Sequence, residues 1–127
     1  MDPMTIAFPG GDRIEARYAG LTVATDQDGS APSPFDLFLA SIGTCAGIYV
    51  ARFCRSRGIP LDGIGLVQRV TAEGGRVAQI DLDLSLPPSF PEKYREAVVR
   101  SAQQCKVKQH LEQPPEIAIR VTQGIPA

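Results

Sequence analysis

The sequence predicts an α+β protein built largely from antiparallel sheets. Stretches in which apolar and polar residues alternate, as in half-buried strands, come before, between and after two stretches typical of helices. Turn signals lie between neighbouring strands, as in hairpins. The resulting order, β-β-β-α-β-β-α-β, has no repeating strand–helix–strand unit, which favours this class over a wound parallel sheet.

Two runs of strands are predicted. The first is a meander with a Pro-Gly-Gly turn after its first strand, and the second is a hairpin around Gly74-Gly75. A last alternating stretch follows Pro114-Pro115 and is predicted as the closing strand. The predicted strands cover residues 5–8, 13–18, 21–25, 65–73, 77–86 and 116–122.

The first helix is predicted from the residues at its two ends. Ser33 is a good N-cap, Pro34 suits the first helical position, and the Asp36 carboxylate completes a capping box. Gly58 ends the helix in the left-handed cap position, and Pro60 prevents its resumption.

The interior of this helix is apolar or small on nearly every side. Such a helix is expected to be buried all round rather than to lie on a surface. Gly, Ser and Thr interrupt the apolar run, which makes a membrane span an unconvincing alternative. The small residues Ala40, Gly43, Gly47 and Ala51 predict that another stretch of backbone is pressed against this side of the helix, and Cys45 lies in the middle of the run.

A second helix is predicted to open at Ser89 with Glu92 as its capping partner. Cys105 continues the apolar stripe of this helix, whose earlier members are Tyr94, Ala97, Val98, Ser101 and Ala102. That stripe must pack against something large and apolar, and the first helix is the only such element. Cys105 is therefore expected to face it.

Composition bounds the function classes. A chain of 127 residues is predicted to form one domain, residues 1–127, and its net charge of −1 gives no electrostatic case for nucleic acid. The first residues lack the basic and apolar regions of a secretory signal, and three cysteines suit a reducing compartment, so we expect a cytoplasmic protein. No CxxC is present and His110 is the one histidine, so neither a metal nor another cofactor is expected.

The three cysteines differ in which other thiol each can contact. Nine residues separate Cys45 from Cys54, about half a turn around the helix axis, so these two thiols point in opposite directions. Cys54 is interpreted as a small, partly buried residue. Cys45 and Cys105, on facing helices, are either redox partners or inert core residues, and the pattern alone leaves both readings open.

The chain resembles the OsmC/Ohr family of thiol peroxidases over essentially its whole length. The resemblance rests on SPFDLFLASIGTCAG, residues 33–47, and on CKVKQHL, residues 105–111. It implies an OsmC-like fold with antiparallel sheets around two central Cys-bearing helices, in an intertwined homodimer. It also implies reduction of organic hydroperoxides, with Cys45 as the peroxide-attacking cysteine and Cys105 as the resolving one, reset by an unidentified dithiol reductant.

The resemblance further implies an arginine that activates the thiol, held by an acid at the start of the Cys helix. Arg13 and Arg17, on one face of the same predicted strand, are the candidates for the arginine, and Asp36 is the candidate acid. A solvated charged face is the alternative for the two arginines. The Ohr motif has Glu directly after the helix-start proline, where this chain has Phe35, so the chain is closer to the divergent OsmC-like branches.

Two functions are carried forward. The first is hydroperoxide reduction through a Cys45/Cys105 redox pair. The second is a non-catalytic dimeric protein of the same fold that binds a small hydrophobic ligand between its subunits. Neither requires nucleic acid or a membrane.

Overall fold

The computed structural model describes residues 1–124. These residues form two compact units: Met1–Leu39 together with the segment from Glu116, and Ala40–Pro115. The first helix, α1, covers Pro34–Ser56, so it begins in the first unit and continues into the second. The class is α+β with antiparallel sheets, as predicted.

The first unit contains the predicted meander. Strands β1 (Thr5–Gly10), β2 (Arg13–Tyr18) and β3 (Leu21–Thr25) pair antiparallel in the order β1-β2-β3. The turn between β2 and β3 holds Ala19 and Gly20 at φ values of 46° and 76°, as a type I′ hairpin turn requires.

The predicted ends of α1 are confirmed. The Asp36 N–H donates to the Ser33 hydroxyl at 3.1 Å, and the Ser33 N–H donates to the Asp36 carboxylate at 3.0 Å, which is a reciprocal capping box. Gly58 follows the helix at a φ of 66°.

The prediction that α1 is buried all round is wrong for the single chain. Phe35 and Ile48 are 53% and 47% exposed, because the elements of one chain cover only part of the helix surface. A Cβ on Gly43 would lie 2.7 Å from Oε1 of the Gln68 side chain, and one on Gly47 would meet no atom within 4 Å. The predicted backbone approach is therefore wrong at both glycines. By length and composition α1 could cross a membrane, a test that core helices of soluble proteins also pass.

The second unit contains the predicted hairpin. Strands β4 (Gly65–Glu73) and β5 (Arg76–Ser85) pair antiparallel around Gly74 and Gly75, which have φ values of 58° and 78°. In the core of this unit, side chains from the second half of α1 pack against residues that follow the hairpin. Its buried members are Val50, Phe53, Cys54, Phe90 and Val98.

The second helix differs from the prediction. The chain forms a 3-10 turn at Glu92–Tyr94, then α2 (Arg95–Ala102), then α3 (Lys106–Glu112). The predicted Ser89 cap is wrong, since the turn begins at Pro91 without a side-chain cap. Cys105 does not continue a helix. Its φ of −50° and ψ of 125° are extended values, so the helical conformation is interrupted between α2 and α3.

The predicted closing strand at residues 116–122 is also wrong for this chain. No strand lies in the described residues after α3, and Ile117, Ile119 and Val121 are 84%, 97% and 99% exposed. An alternating stretch becomes a strand only where another strand supplies hydrogen-bond partners and a covered face. The described part of this single chain supplies neither to these residues.

Candidate active site

Cys45 and Cys105 lie together in the second unit. Their side chains interact: a protonated Cys105 thiol lowers the pKa of Cys45, which is partly exposed. The backbone N–H groups of Val107 and Lys106 lower the same pKa. The two sulfurs are free thiols and form no disulfide.

The surroundings of Cys45 favour its thiolate. Burial raises the pKa of this thiol, but the Val107 N–H, the Cys105 thiol, the Lys106 N–H and the Lys106 charge together hold the pKa below its usual value. A thiolate is the form of cysteine that attacks an electrophile. Cys45 is therefore the better nucleophile of the pair.

Cys105 has the opposite tendency. It is 2% exposed, and burial raises its pKa, as does the negative charge of a neighbouring Cys45 thiolate. Its sulfur accepts the Lys108 N–H at 3.5 Å as the N-cap of α3, and its thiol donates to the Ile42 carbonyl at 4.0 Å. A pair with one low and one high pKa divides naturally into a nucleophile and a proton-bearing partner.

Lys106 is the cation that the structure brings to Cys45. In the sequence Lys106 directly follows Cys105. The break before α3 instead directs its backbone N–H and its charge to Cys45. A lysine next to a cysteine was the available signal. A continuous helix through Cys105 gave no indication that this lysine acts on Cys45.

The predicted arginines form a cluster of their own on β2. Glu15 lies between them and accepts from Arg13 Nε at 3.0 Å and from Arg17 Nη2 at 2.8 Å. These hydrogen bonds, first from Arg17 and then from Arg13, lower the pKa of Glu15. The sequence reading missed Glu15, although its place between two arginines on one strand face was the available signal.

Asp36 is occupied at the start of α1. Its carboxylate accepts the Ser33 N–H, and among residues 1–124 it forms no ion pair. In the structure Glu15 rather than Asp36 is the acid that holds Arg13 and Arg17.

A largely apolar cavity of about 580 Å³ has Cys105 in its wall. Asp83, Gln103 and Lys108 contribute its polar groups, while its apolar lining comes mainly from α1, β4, β5 and α2. This volume falls within the roughly 300–1,000 Å³ typical of small-molecule sites. Apolar residues that line it include Ile42, Ala46, Leu66, Ile80, Leu82 and Val99.

Cys54 and His110 lie outside the candidate site. Cys54 is 0% exposed, and burial raises its pKa. His110 is exposed, with Nδ1 2.7 Å from the Lys106 carbonyl. No group of three or more metal-ligating side chains occurs among residues 1–124.

The family model described as OsmC-like protein matches residues 27–120. The curated proteins give no match. Among solved structures, a Psychrobacter arcticus protein described as an osmotic stress induced and detoxification response protein is 20% identical, with a TM-score of 0.68 over 86% of this chain and 87% of its own.

Two structures with more specific descriptions share the fold. An organic hydroperoxide resistance protein OsmC of Legionella pneumophila is 17% identical, with a TM-score of 0.55 over 87% of this chain and 88% of its own. The organic hydroperoxide resistance protein OhrB of Bacillus subtilis is also 17% identical, with a TM-score of 0.50 over 87% and 90%. Because the family model spans most of the sequence, this chain belongs to the OsmC-like protein family.

Proposed function

We propose that this protein reduces organic hydroperoxides, with Cys45 as the attacking thiolate and Cys105 as the resolving thiol. The observation that carries the proposal is the juxtaposition of Cys45 with the Cys105 thiol, the Lys106 charge and two backbone N–H groups, which together lower the pKa of Cys45. Family membership supports it, since proteins of the same fold are described as hydroperoxide resistance proteins.

The first step forms a bond between sulfur and oxygen. The Cys45 thiolate attacks one oxygen of the peroxide bond, that bond breaks, and the other oxygen takes up a proton and leaves as the alcohol. The peroxide is reduced by two electrons, and Cys45 becomes a sulfenic acid. The apolar cavity beside the pair would hold the organic group of the peroxide.

The second step joins the two sulfurs. The Cys105 sulfur attacks the sulfenic acid, the sulfur–oxygen bond breaks, and water leaves as the Cys45–Cys105 disulfide forms. This protects Cys45 from further oxidation. A dithiol reductant, oxidised to its own disulfide, then returns both cysteines to thiols by exchange.

Two sets of positively charged or N–H groups stabilise the Cys45 thiolate. The Lys106 charge and the backbone N–H groups beside it act within the second unit. Arg13 or Arg17 supplies a further cation, and Glu15 takes the orienting part that the resemblance gives to the helix-start acid. Asp36 then acts as the cap of α1.

We also propose a homodimer in a reducing, cytoplasmic setting. Apolar side chains that a single chain leaves exposed support the dimer: Phe8 and Ile48, at 79% and 47%, and the alternating residues of the 116–122 segment. A second copy would cover such surface and supply a strand partner for that segment.

Thiol titration before and after one equivalent of cumene hydroperoxide tests the reaction. We expect two thiols per chain to disappear and a Cys45–Cys105 disulfide to be found by peptide mapping. The matched control is Cys105→Ser, which should lose one thiol and form no intramolecular disulfide. An unchanged thiol count in the wild-type protein would overturn the enzymatic proposal.

The cavity favours a second candidate, binding of a small hydrophobic ligand without catalysis. Its apolar lining and its volume of about 580 Å³ suit such a ligand. Binding of an apolar fluorescent probe, lost in Ala102→Phe, together with unchanged thiols after peroxide treatment, would favour the binder. Probe binding together with loss of two thiols would instead make the cavity the substrate site.

A further inference from the structure

A groove of about 430 Å³ lies between the second half of α1 and α2. We propose that this arginine groove binds the phosphate group of an organic phosphate. Its lining includes three arginines, Arg52, Arg57 and Arg100, and no acid. The groove is separate from the cavity at Cys105, and the inference does not depend on the hydroperoxide reaction.

Arg57 is held in place before any ligand arrives. Its guanidinium carbon lies 3.7 Å from the centre of the Phe53 ring. Its Nη1 donates to the Phe53 carbonyl at 3.1 Å and to the Ser56 hydroxyl at 2.9 Å. A side chain already fixed loses little conformational freedom on binding, which favours affinity.

The other two arginines leave their charge largely uncompensated. Arg52 stacks 6.0 Å from the Tyr49 ring and forms no ion pair within residues 1–124. Arg100 reaches Glu96 only at 4.0 Å, with side chains 66% and 93% exposed, and such a pair contributes little. By contrast Arg69 and Arg95, in the same unit, pair with carboxylates at 2.9 Å and 2.7 Å.

Helix ends do not account for the whole cluster. Cations in a last turn offset the partial negative charge of a helix C-terminus, which explains Arg100 on α2. Arg52 lies before the last turn of α1, which already carries Arg55. Each helix end carries about half a negative charge, so three guanidinium groups on one concave surface leave a net positive site.

The chemistry of the lining selects the ligand class. Arginine presents planar pairs of N–H donors that match the oxygens of a phosphate, and a phosphate monoester carries about two negative charges near pH 7. Ser56, Ser101 and Gln104 add hydroxyl and amide groups to the lining. The groove is open to solvent and leaves room beside a bound phosphate for an attached organic group.

Isothermal titration of the full chain with AMP at low ionic strength tests the proposal, with inorganic phosphate and uncharged adenosine as companion ligands. We expect AMP to bind, adenosine not to bind, and added salt to weaken binding. Arg52→Ala and Arg100→Ala should each raise the Kd by about tenfold, because each removes charge-assisted hydrogen bonds. Both residues are exposed, so both variants should fold, which circular dichroism can check.

The matched control is Arg76→Ala, which removes the same charge from the exposed start of β5. It should leave the Kd for AMP unchanged. Vesicles containing phosphatidic acid distinguish a lipid phosphate from a soluble one. Binding to these vesicles that is lost in Arg52→Ala and Arg100→Ala, with no response to AMP, would assign the phosphate to a lipid. No binding of any phosphate, or equal loss in Arg76→Ala, would overturn the proposal.

Discussion

The thiols of Cys45 and Cys105 interact, and their pKa values move in opposite directions: that of Cys45 is lowered and that of Cys105 is raised. Cys45 therefore favours the thiolate, whereas the buried Cys105 keeps its proton. The two residues come from α1 and from the break between α2 and α3, sixty positions later in the chain. This relationship is the basis of the predictions on thiol reactivity.

The pH dependence of Cys45 alkylation should reveal the contribution of Lys106. Because a lowered pKa means more thiolate at a given pH, Cys45 should react with iodoacetamide at lower pH than an ordinary thiol. In Lys106→Gln the loss of positive charge raises the pKa, so the profile should move to higher pH. The rate at pH 7 should fall by about two- to fivefold, the scale of one near-surface charge interaction.

Lys108→Gln is the matched control for Lys106→Gln. The Lys108 ammonium lies 3.4 Å from Glu112, and its contact with the Cys105 sulfur is made by its backbone N–H, which the substitution keeps. Mass-resolved alkylation of Cys45 should therefore give the wild-type profile. Equal shifts in the two variants would mean that net charge, rather than the position of Lys106, sets the reactivity.

Asp36→Ala should affect stability rather than thiol chemistry. The change removes one half of the capping box with Ser33, which costs about 1 kcal/mol of unfolding free energy. Urea denaturation measures that loss, and peroxide consumption should stay within about threefold of wild type. A fall of an order of magnitude or more in peroxide consumption at unchanged stability would instead give Asp36 the arginine-orienting role.

Cys54→Ala should preserve peroxide consumption within about threefold, or roughly 0.7 kcal/mol on the barrier. Cys54 belongs to the buried core with Val50 and Val98, so the substitution should lower stability by about 1 kcal/mol. Cys54→Ser should cost more stability, because it also buries a hydroxyl. A loss of activity as large as that of Cys45→Ser would show that the wrong thiols are paired.

The dimer should persist on dilution. If the exposed apolar residues of α1 and of the 116–122 segment are covered by a second copy, light scattering over a wide concentration range should detect no folded monomer. Ile119→Asp places a charge on a side chain that is 97% exposed in the single chain. It should weaken a dimer, while a stable monomer in the wild-type protein would contradict the intertwined arrangement.

Local signals were enough to predict much of the fold. Gly74 and Gly75 fixed the hairpin because a type I′ turn needs positive φ at both positions. Ser33 and Asp36 located the start of α1 because their capping bonds are made within one turn. These features depend on neighbouring residues, so the sequence contains nearly all the information they need.

The errors lie where distant partners decide the outcome. No Gly or Pro lies between Ala102 and Lys106, so the apolar periodicity predicted one continuous helix. The structure instead interrupts the helix at Cys105. That break turns Lys106 towards Cys45, which spacing along the sequence could not reveal. Residues 116–122 alternate as a strand does, yet a strand also needs a partner, and sequence alternation does not report one.

The order of attack is the central claim, and mass spectrometry after one equivalent of organic hydroperoxide tests it most directly. Cys105→Ser should complete one turnover, carry a trappable sulfenic acid on Cys45, and over-oxidise there under excess peroxide. Cys45→Ser should not react. Oxygen on Cys105 in the Cys45→Ser protein, with none on Cys45 in the Cys105→Ser protein, would contradict the assignment.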